Sequence, residues 1–318
     1  MNKKTILALT ILLILTACSK KDDKESIEAS TVEVRDENLK TDEVNAKAIT
    51  FSSKIVMDNI DTKNIDINVD NNSDYSNIES GDFDIAIVPA YLGPYFYDST
   101  NEGIEVAAIS SIDNIKLVSD SAINNQNDLK GKNLYITDPV GNISQAVDKK
   151  LGPFNIYLKI NTEYYKNMDD MIEKVNGSSD FLTILTDPYY EKVIDKDYYV
   201  SDLSSLLSMS DDEFVSEIII VNKNYLKENK ESFKKFLEAY KASSESINGN
   251  SLVTKDILEM YNLSEDQARE AINRQKSTFI EGRQMKETYN NFLDKLASFD
   301  KSLLYDVDTN NGFYYMCK

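Results

Sequence analysis

Two carboxylates set beside prolines offer the first chemistry in this sequence: Asp138 in Thr137-Asp138-Pro139-Val140-Gly141-Asn142-Ile143-Ser144 and Asp187 in Thr186-Asp187-Pro188-Tyr189. A pair of carboxylates across a scissile bond can serve as acid and base, as in glycoside hydrolysis. Aspartate beside proline is also an ordinary turn residue, because its side chain bonds nearby backbone amides. Each loop follows a run of strand character, and the first leads into a helix pattern, so it points free backbone amides at a crevice. Asp, Asn and Ser are ordinary caps at such a helix start. A carboxylate already at those amides disfavours an anionic ligand. We therefore read Asp138, Val140, Gly141, Asn142, Asp187 and Tyr189 as ligand contacts, not catalytic groups.

A second constellation is aromatic. Pro89-Ala90-Tyr91 closes a third strand, and Tyr95, Phe96 and Tyr97 follow within a turn or two. Such rings stack on a planar or apolar ligand. Phe96 is expected in the core, as apolar rings on a helix usually are, and Tyr91 is the ligand candidate. Ser52-Ser53 and Ser110-Ser111, each at the end of a strand pattern, complete the set of loops at strand ends.

What is missing narrows the chemistry further. The chain has no histidine, which removes the commonest general base, the Ser-His and Cys-His nucleophile pairs and imidazole metal sites. The acidic runs Asp169-Asp170 and Asp211-Asp212-Glu213 lack the spaced oxygens and central glycine of a calcium loop and read as solvated faces. No enzyme, metal or cofactor is expected. The arginines are Arg35, Arg269, Arg274 and Arg283, so no guanidinium fork for an anion falls between the first strand and position 217.

The elements that must hold these loops alternate between strand and helix, the signature of α/β layering. Strands are predicted at Ala48–Phe51, Ile65–Val69, Phe83–Val88, Ile104–Ile109, Ile115–Val118, Asn133–Thr137, Tyr157–Ile160, Phe181–Leu185 and Glu217–Val221. Helices are predicted at Ile143–Leu151, Met168–Val175, Tyr189–Ile194, Tyr225–Ala242, Thr254–Tyr261, Ser264–Gln275 and Gly282–Phe299. In the long helix from Tyr225, the residues Phe233, Phe236, Leu237 and Tyr240 share one face. Ser264 and Gln267 have the spacing of a capping box. In an open sheet of this kind ligands lie outside the carboxyl ends of the strands, where the candidate loops fall.

The amino terminus carries a different chemistry. Lys3 and Lys4 precede an apolar run from Ile6 to Leu15 that is short for a membrane span, and Leu15-Thr16-Ala17-Cys18 then forms a lipobox. Residues 1–17 read as a signal peptide, Cys18 as the lipidated residue, and residues 18–46, rich in Lys, Asp, Glu, Ser and Thr, as a disordered tether. The folded part is then held outside the cytoplasm at a membrane. Cleavage removes two lysines and takes the formal charge from −19 to −21, which makes nucleic acid a poor partner. Cys317, the only other cysteine, is expected to be a free thiol near the carboxyl terminus.

Several strings in their order resemble the solute-binding lipoproteins of ABC importers, in the branch that takes sulfonates, nitrate and thiamine-pyrimidine precursors. Gly81-Asp82-Phe83-Asp84-Ile85-Ala86 is similar to that branch's turn into a ligand loop, Asp128-Leu129-Lys130-Gly131-Lys132 to its lead into a second lobe, Asn229 to Tyr240 to a helix, and Phe313-Tyr314-Tyr315 to its ending. The resemblance implies a type II periplasmic-binding-protein fold, α/β with two lobes and a hinge of two crossings. Lobe 1 would comprise residues 47–111 and 217–318, and lobe 2 residues 112–216. It also implies a small-molecule solute and a membrane permease driven by an ATPase as partners. Two departures stand out: Phe51-Ser52-Ser53-Lys54 replaces a Gly/Pro/Thr loop, and Asp138-Pro139-Val140-Gly141-Asn142 replaces a small Gly-rich turn. With the acidic chain, the second favours a neutral, zwitterionic or cationic solute. The rival expectation is a lipoprotein that keeps the fold but serves as a sensor or docking protein.

Overall fold

A computed structural model describes residues 43–71, 74–124, 126–139, 141, 159–193, 198–202, 214–275, 277–309 and 312–316. The expected signal peptide, Cys18, most of the tether, Val140, Asn142, the helix predicted at Ile143–Leu151 and Cys317 lie outside the described residues. Among the described residues no helix is long and apolar enough to cross a membrane. The described residues all belong to one compact unit.

The first strand, β1 (Glu43–Ala48), begins inside the predicted tether, and the residues predicted as strand at 48–51 instead lead into helix α1 (Phe51–Asp58). The reason is a cap. Thr50 accepts a hydrogen bond from the Ser53 amide at 3.1 Å, and Ser53 Oγ accepts one from the Thr50 amide at 3.1 Å, a reciprocal capping box that starts a helix despite the apolar residues around it. Strand β2 (Asp66–Asp70), helix α2 (Ser76–Glu79), strand β3 (Ile85–Pro89), helix α3 (Gly93–Ser99) and strand β4 (Ile104–Ile112) follow.

Strands β5 (Ile115–Ser119), β6 (Asn133–Thr137), β7 (Asn161–Tyr165), β8 (Phe181–Thr186) and β9 (Tyr199–Asp202), with helix α4 (Met168–Asn176), build a second sheet. Of the strand predicted at Tyr157–Ile160, Tyr157 and Leu158 lie outside the described residues; β7 starts at Asn161, and each of its residues pairs in parallel with β6. The helix predicted at Tyr189–Ile194 is a single 3-10 turn, Tyr189–Lys192.

The chain then returns as β10 (Val215–Asn222), buried along its whole length, and runs through helices α5 (Lys223–Glu228), α6 (Lys230–Ser246), α7 (Lys255–Tyr261) and α8 (Glu265–Arg274), strand β11 (Ser277–Glu281) and helix α9 (Gly282–Phe299). The first sheet has the order β11-β4-β10-β3-β1-β2 and the second β7-β6-β8-β5-β9. β10 is antiparallel to both β3 and β4, and because both faces of the sheet are covered, Ile218, Ile219, Ile220 and Val221 read as one apolar run.

Helix α6 covers one face of the first sheet with Phe233, Phe236, Leu237 and Tyr240, and α9 covers the other with Met285, Tyr289, Phe292 and Leu293. Full burial of one such side chain contributes about 1.5–3 kcal/mol. A third cluster joins α1 to α7 and α8 through Phe51, Ile55, Ile257, Tyr261, Ala268 and Ile272.

The two crossings between the sheets run side by side. The Asp113 amide donates to the Phe214 carbonyl at 2.9 Å, and the Asn114 amide to Ser216 Oγ at 2.9 Å. Lys116 Nζ lies 3.0 Å from the buried Asp113 carboxylate, which fixes the start of β5 against the crossing.

Candidate functional site

One edge of the first sheet collects the carboxyl ends of β1, β3 and β4 and the amino ends of the antiparallel β10 and β11. Pro89, Glu217, Ser111 and Ser277 pair in sequence across β3, β10, β4 and β11 and form a row at that edge. Every loop leaving it therefore faces the same space, and sheet topology gathers residues far apart in the chain.

Glu217 is the central group. It is 6% exposed, and burial raises its carboxyl to about 7 although the hydroxyls of Thr50 and Ser52 act in the opposite direction. Its Oε2 has no hydrogen-bond partner, and the same holds for the buried Tyr240 hydroxyl, Ser110 Oγ, Ser277 Oγ and both polar atoms of the Gln275 amide. Ser110 stands beside the Tyr240 hydroxyl, which also senses the Glu217 charge. Buried polar atoms normally find partners, so this concentration at one edge is unusual.

Four tyrosines surround that edge. Tyr75, ahead of α2, stacks on Phe96 at 5.7 Å between centroids. Tyr91 follows β3, Tyr189 follows β8 of the second sheet, and Tyr261 ends α7. Tyr75 senses both Tyr189 and Glu217, Tyr91 senses Tyr75 and Asp138, and Tyr261 senses Tyr189 and Glu217. Burial pushes all four hydroxyls above the ordinary phenol range, so they are neutral at physiological pH. Tyr189 meets Tyr261 edge to face at 6.0 Å, a contact between the two sheets' halves of the fold.

Tyr91 is positioned from behind. The Tyr289 hydroxyl of α9 donates to the Ala90 carbonyl at 2.5 Å. Gly93 makes this approach feasible, since a Cβ there would collide with that hydroxyl and with Ile218.

A second contact crosses between the sheets. Arg274, the last residue of α8, donates to Asp187 Oδ1 through Nη2 at 2.7 Å and Nε at 3.1 Å, and to Glu191 Oε1 at 2.6 Å, while its guanidinium lies 5.5 Å from the Tyr190 ring centroid. Burial nonetheless raises Asp187 to about 6, against the pull of Arg274. A cavity of about 240 Å³ opens beside this clamp, lined by Asp113, Lys116, Asp187, Tyr198 and Arg274 among others.

The sequence-predicted residues divide accordingly. Ser52 acts on Glu217, Ser110 lies beside Tyr240, Asp138 acts on Tyr91, and Tyr189 acts on Tyr75 and meets Tyr261. Pro89 pairs with Glu217 in the ladder. Ser53 caps helix α1, with both its amide and its hydroxyl bonded to Thr50. Ala90 is wholly buried and contributes its carbonyl to Tyr289. The Ser111 hydroxyl accepts from Asn114 at the crossing. Asp187 is held by Arg274. Gly141 has φ +75° and open space around its Cα, which suits glycine at that turn.

Sequence reasoning passed over Tyr75, Glu217, Tyr240, Tyr261 and Lys54. For Glu217 a signal existed: a carboxylate opens the most apolar run of the chain. Lys54 sits on α1, 1% exposed, with Nζ 3.2 Å from the Tyr261 hydroxyl; burial lowers it to about 8. The arginine count also misled, since α8 carries Arg274 back to the cleft, where its fork takes the protein's own carboxylates.

Comparison with known proteins places this geometry. A family model described as NMT1/THI5 like matches residues 64–250. No curated protein sequence matches the chain. Among solved structures, an ABC transporter protein of Parabacteroides distasonis aligns with TM-score 0.62 at 15% identity, over 87% of this chain and 99% of that one. The ligand-binding component of an ABC-type import system of Staphylococcus aureus, with zinc bound, aligns with TM-score 0.61 at 11% identity, over 87% and 97%. The periplasmic aliphatic sulphonate binding protein of Escherichia coli aligns with TM-score 0.61 at 10% identity, over 86% and 97%. The architecture is the periplasmic-binding-protein fold.

Proposed function

The chain belongs to the NMT1/THI5-like family, and on that footing we propose that it captures a small solute between two lobes and delivers it to an ABC importer. Lobe 1 comprises residues 47–111 and 217–318 together with the start of β1, and lobe 2 residues 112–216. The folded body is held at the outer face of the cell membrane by lipid on Cys18, and the closed form docks on a permease driven by an ATPase. Its role is binding, not catalysis.

The observation that carries this reading is that Tyr75 and Tyr261 of lobe 1 both sense the buried Glu217 and Tyr189 of lobe 2, with Tyr91 beside Tyr75. A solute touching both sets of rings favours the closed population, which is all that closure requires. Because Tyr189 and Tyr261 are in contact, the solute enters after the lobes part. Asp138 acts on Tyr91, Glu217 is buried at the strand-end edge, and Arg274 is engaged by carboxylates, which favours a neutral, zwitterionic or cationic solute.

Thermal unfolding of the protein against amino acids, polyamines, nucleosides, thiamine precursors and sulfonates tests this function. A saturable rise in Tm with one class, lost in Tyr91→Ala, is expected. A well-folded protein that responds to none overturns the reading in favour of a docking or sensing role.

A further inference from the structure

Glu217 is a carboxylate without a counter-charge. Among the described residues no ion pair reaches it: of the buried ammoniums of lobe 1, Lys47 pairs with Asp70 at 2.7 Å and Lys54 is acted on by Asp70 and Asp58. A buried carboxylate without a positive partner is unfavourable unless it is protonated or a cation arrives. Oε2 is unpartnered, and so are the Tyr240 and Ser110 hydroxyls and both polar atoms of the Gln275 amide, so the edge holds a carboxylate acceptor awaiting a donor beside hydroxyl and amide groups that can donate or accept. The rings around it suit a flat cation, because aromatic faces attract positive charge and planar cations stack on them. A bound metal ion is disfavoured, since hard cations need several oxygen ligands and no group of three acidic or sulfur side chains gathers among the described residues.

We infer that Glu217 is the recognition carboxylate for a planar nitrogenous cation of the amidinium or guanidinium type, which donates N–H groups to Oε2 while its flat face lies among the tyrosines. This deepens the solute-capture reading and rests on it. The groups facing Glu217 are Thr50 and Ser52 from the start of α1, Tyr240 from α6, Tyr261 from α7 and Tyr75; the three phenols stay neutral over the range that matters. Glu217 is then the group whose charge changes near neutrality. Capture of a fixed cation ionises it and releases a proton.

The probes are benzamidine, a cation throughout the range, with benzamide and benzenesulfonate as its neutral and anionic counterparts, measured by titration calorimetry on the full chain. Benzamidine is expected to bind, benzenesulfonate not, and affinity should rise by roughly tenfold from pH 6 to pH 8 as Glu217 ionises. Glu217→Gln, whose folding is checked by its own Tm, should weaken benzamidine at pH 8 by about tenfold or more and abolish the pH dependence. Titration of the unaltered chain at pH 7 in buffers of different ionisation enthalpy should show proton release. Preference for benzenesulfonate, or equal benzamidine binding by Glu217→Gln, overturns the inference while leaving solute capture intact. Absence of binding by any of the three probes, together with no response in the thermal panel, overturns both.

Discussion

Arg274 and Asp187 are joined by two hydrogen bonds, 2.7 and 3.1 Å long, across the cleft between the two sheets, and Arg274 also holds Glu191 at 2.6 Å. Residues 87 positions apart thereby tie the last turn of α8 to the loop after β8. On the proposed two-lobe reading, a cation of lobe 1 here grips two carboxylates of lobe 2 and acts as a latch between them.

Arg274→Met should release that latch. Arg274 is partly exposed, so the loss is moderated by solvent and is expected to be about 1–2 kcal/mol near neutral pH. Asp187, raised to about 6 from an ordinary 3.8, is protonated at low pH and then has less to lose. The destabilisation should be small near pH 4 and grow as pH rises through 6, measured by thermal unfolding of both proteins across that range.

Glu217→Gln should make the solute-free protein more stable. The folded carboxyl titrates at about 7 and its ordinary value is 4.5. The raised value favours the folded state fully only below 4.5; that advantage is lost progressively as pH rises to 7. At pH 8 the ionised Glu217 is at its most unfavourable, and replacement by glutamine should stabilise by up to about 3 kcal/mol, with almost no effect at pH 4. Chemical denaturation at the two pH values reads this directly.

Much of this architecture was legible in the sequence, for identifiable reasons. β10 was readable because a strand covered on both faces must be apolar throughout, and α6 because Phe233, Phe236, Leu237 and Tyr240 repeat at helical spacing. The Ser264–Gln267 capping box forms as its spacing predicts. The start of α1 was not, because a Thr-Ser capping box is weaker in sequence than the usual form with Glu or Gln, and Ala48 to Phe51 reads as strand by hydropathy alone. β9 and β11 are short and half-exposed, with little apolar pattern. Tyr91, Asp138 and Tyr189 could be placed just after strand ends, where the topology puts them, whereas Ser52 lies within α1. Glu217, Tyr261 and Arg274 could not, since antiparallel return strands and carboxyl-terminal helices reach the edge only through the tertiary fold.

Lys54→Met should also stabilise. Burial lowers the ammonium to about 8 from 10.5, so the charged form is disfavoured in the folded state below 8 and the difference vanishes above 10.5. An apolar chain of similar length removes up to about 3 kcal/mol of that penalty at pH 7, less what the bond to Tyr261 contributed. The gain should shrink as pH rises from 8 toward 10.5, in denaturation curves taken at both ends.

Ser53→Ala separates a cap from a ligand contact. Loss of the reciprocal bonds with Thr50 should lower stability by about 0.5–2 kcal/mol, while affinity for solute stays unchanged once the protein is folded. An affinity loss of tenfold or more at equal folding would assign Ser53 to the binding surface.

The central claim is closure of two lobes around a solute, and small-angle X-ray scattering of the full-length protein, with and without the solute class that raises its Tm, tests it most directly. A smaller radius of gyration at saturation, with the contraction diminished in Tyr189→Ala, is the predicted result. A radius of gyration that does not change at saturating solute would contradict capture by closure.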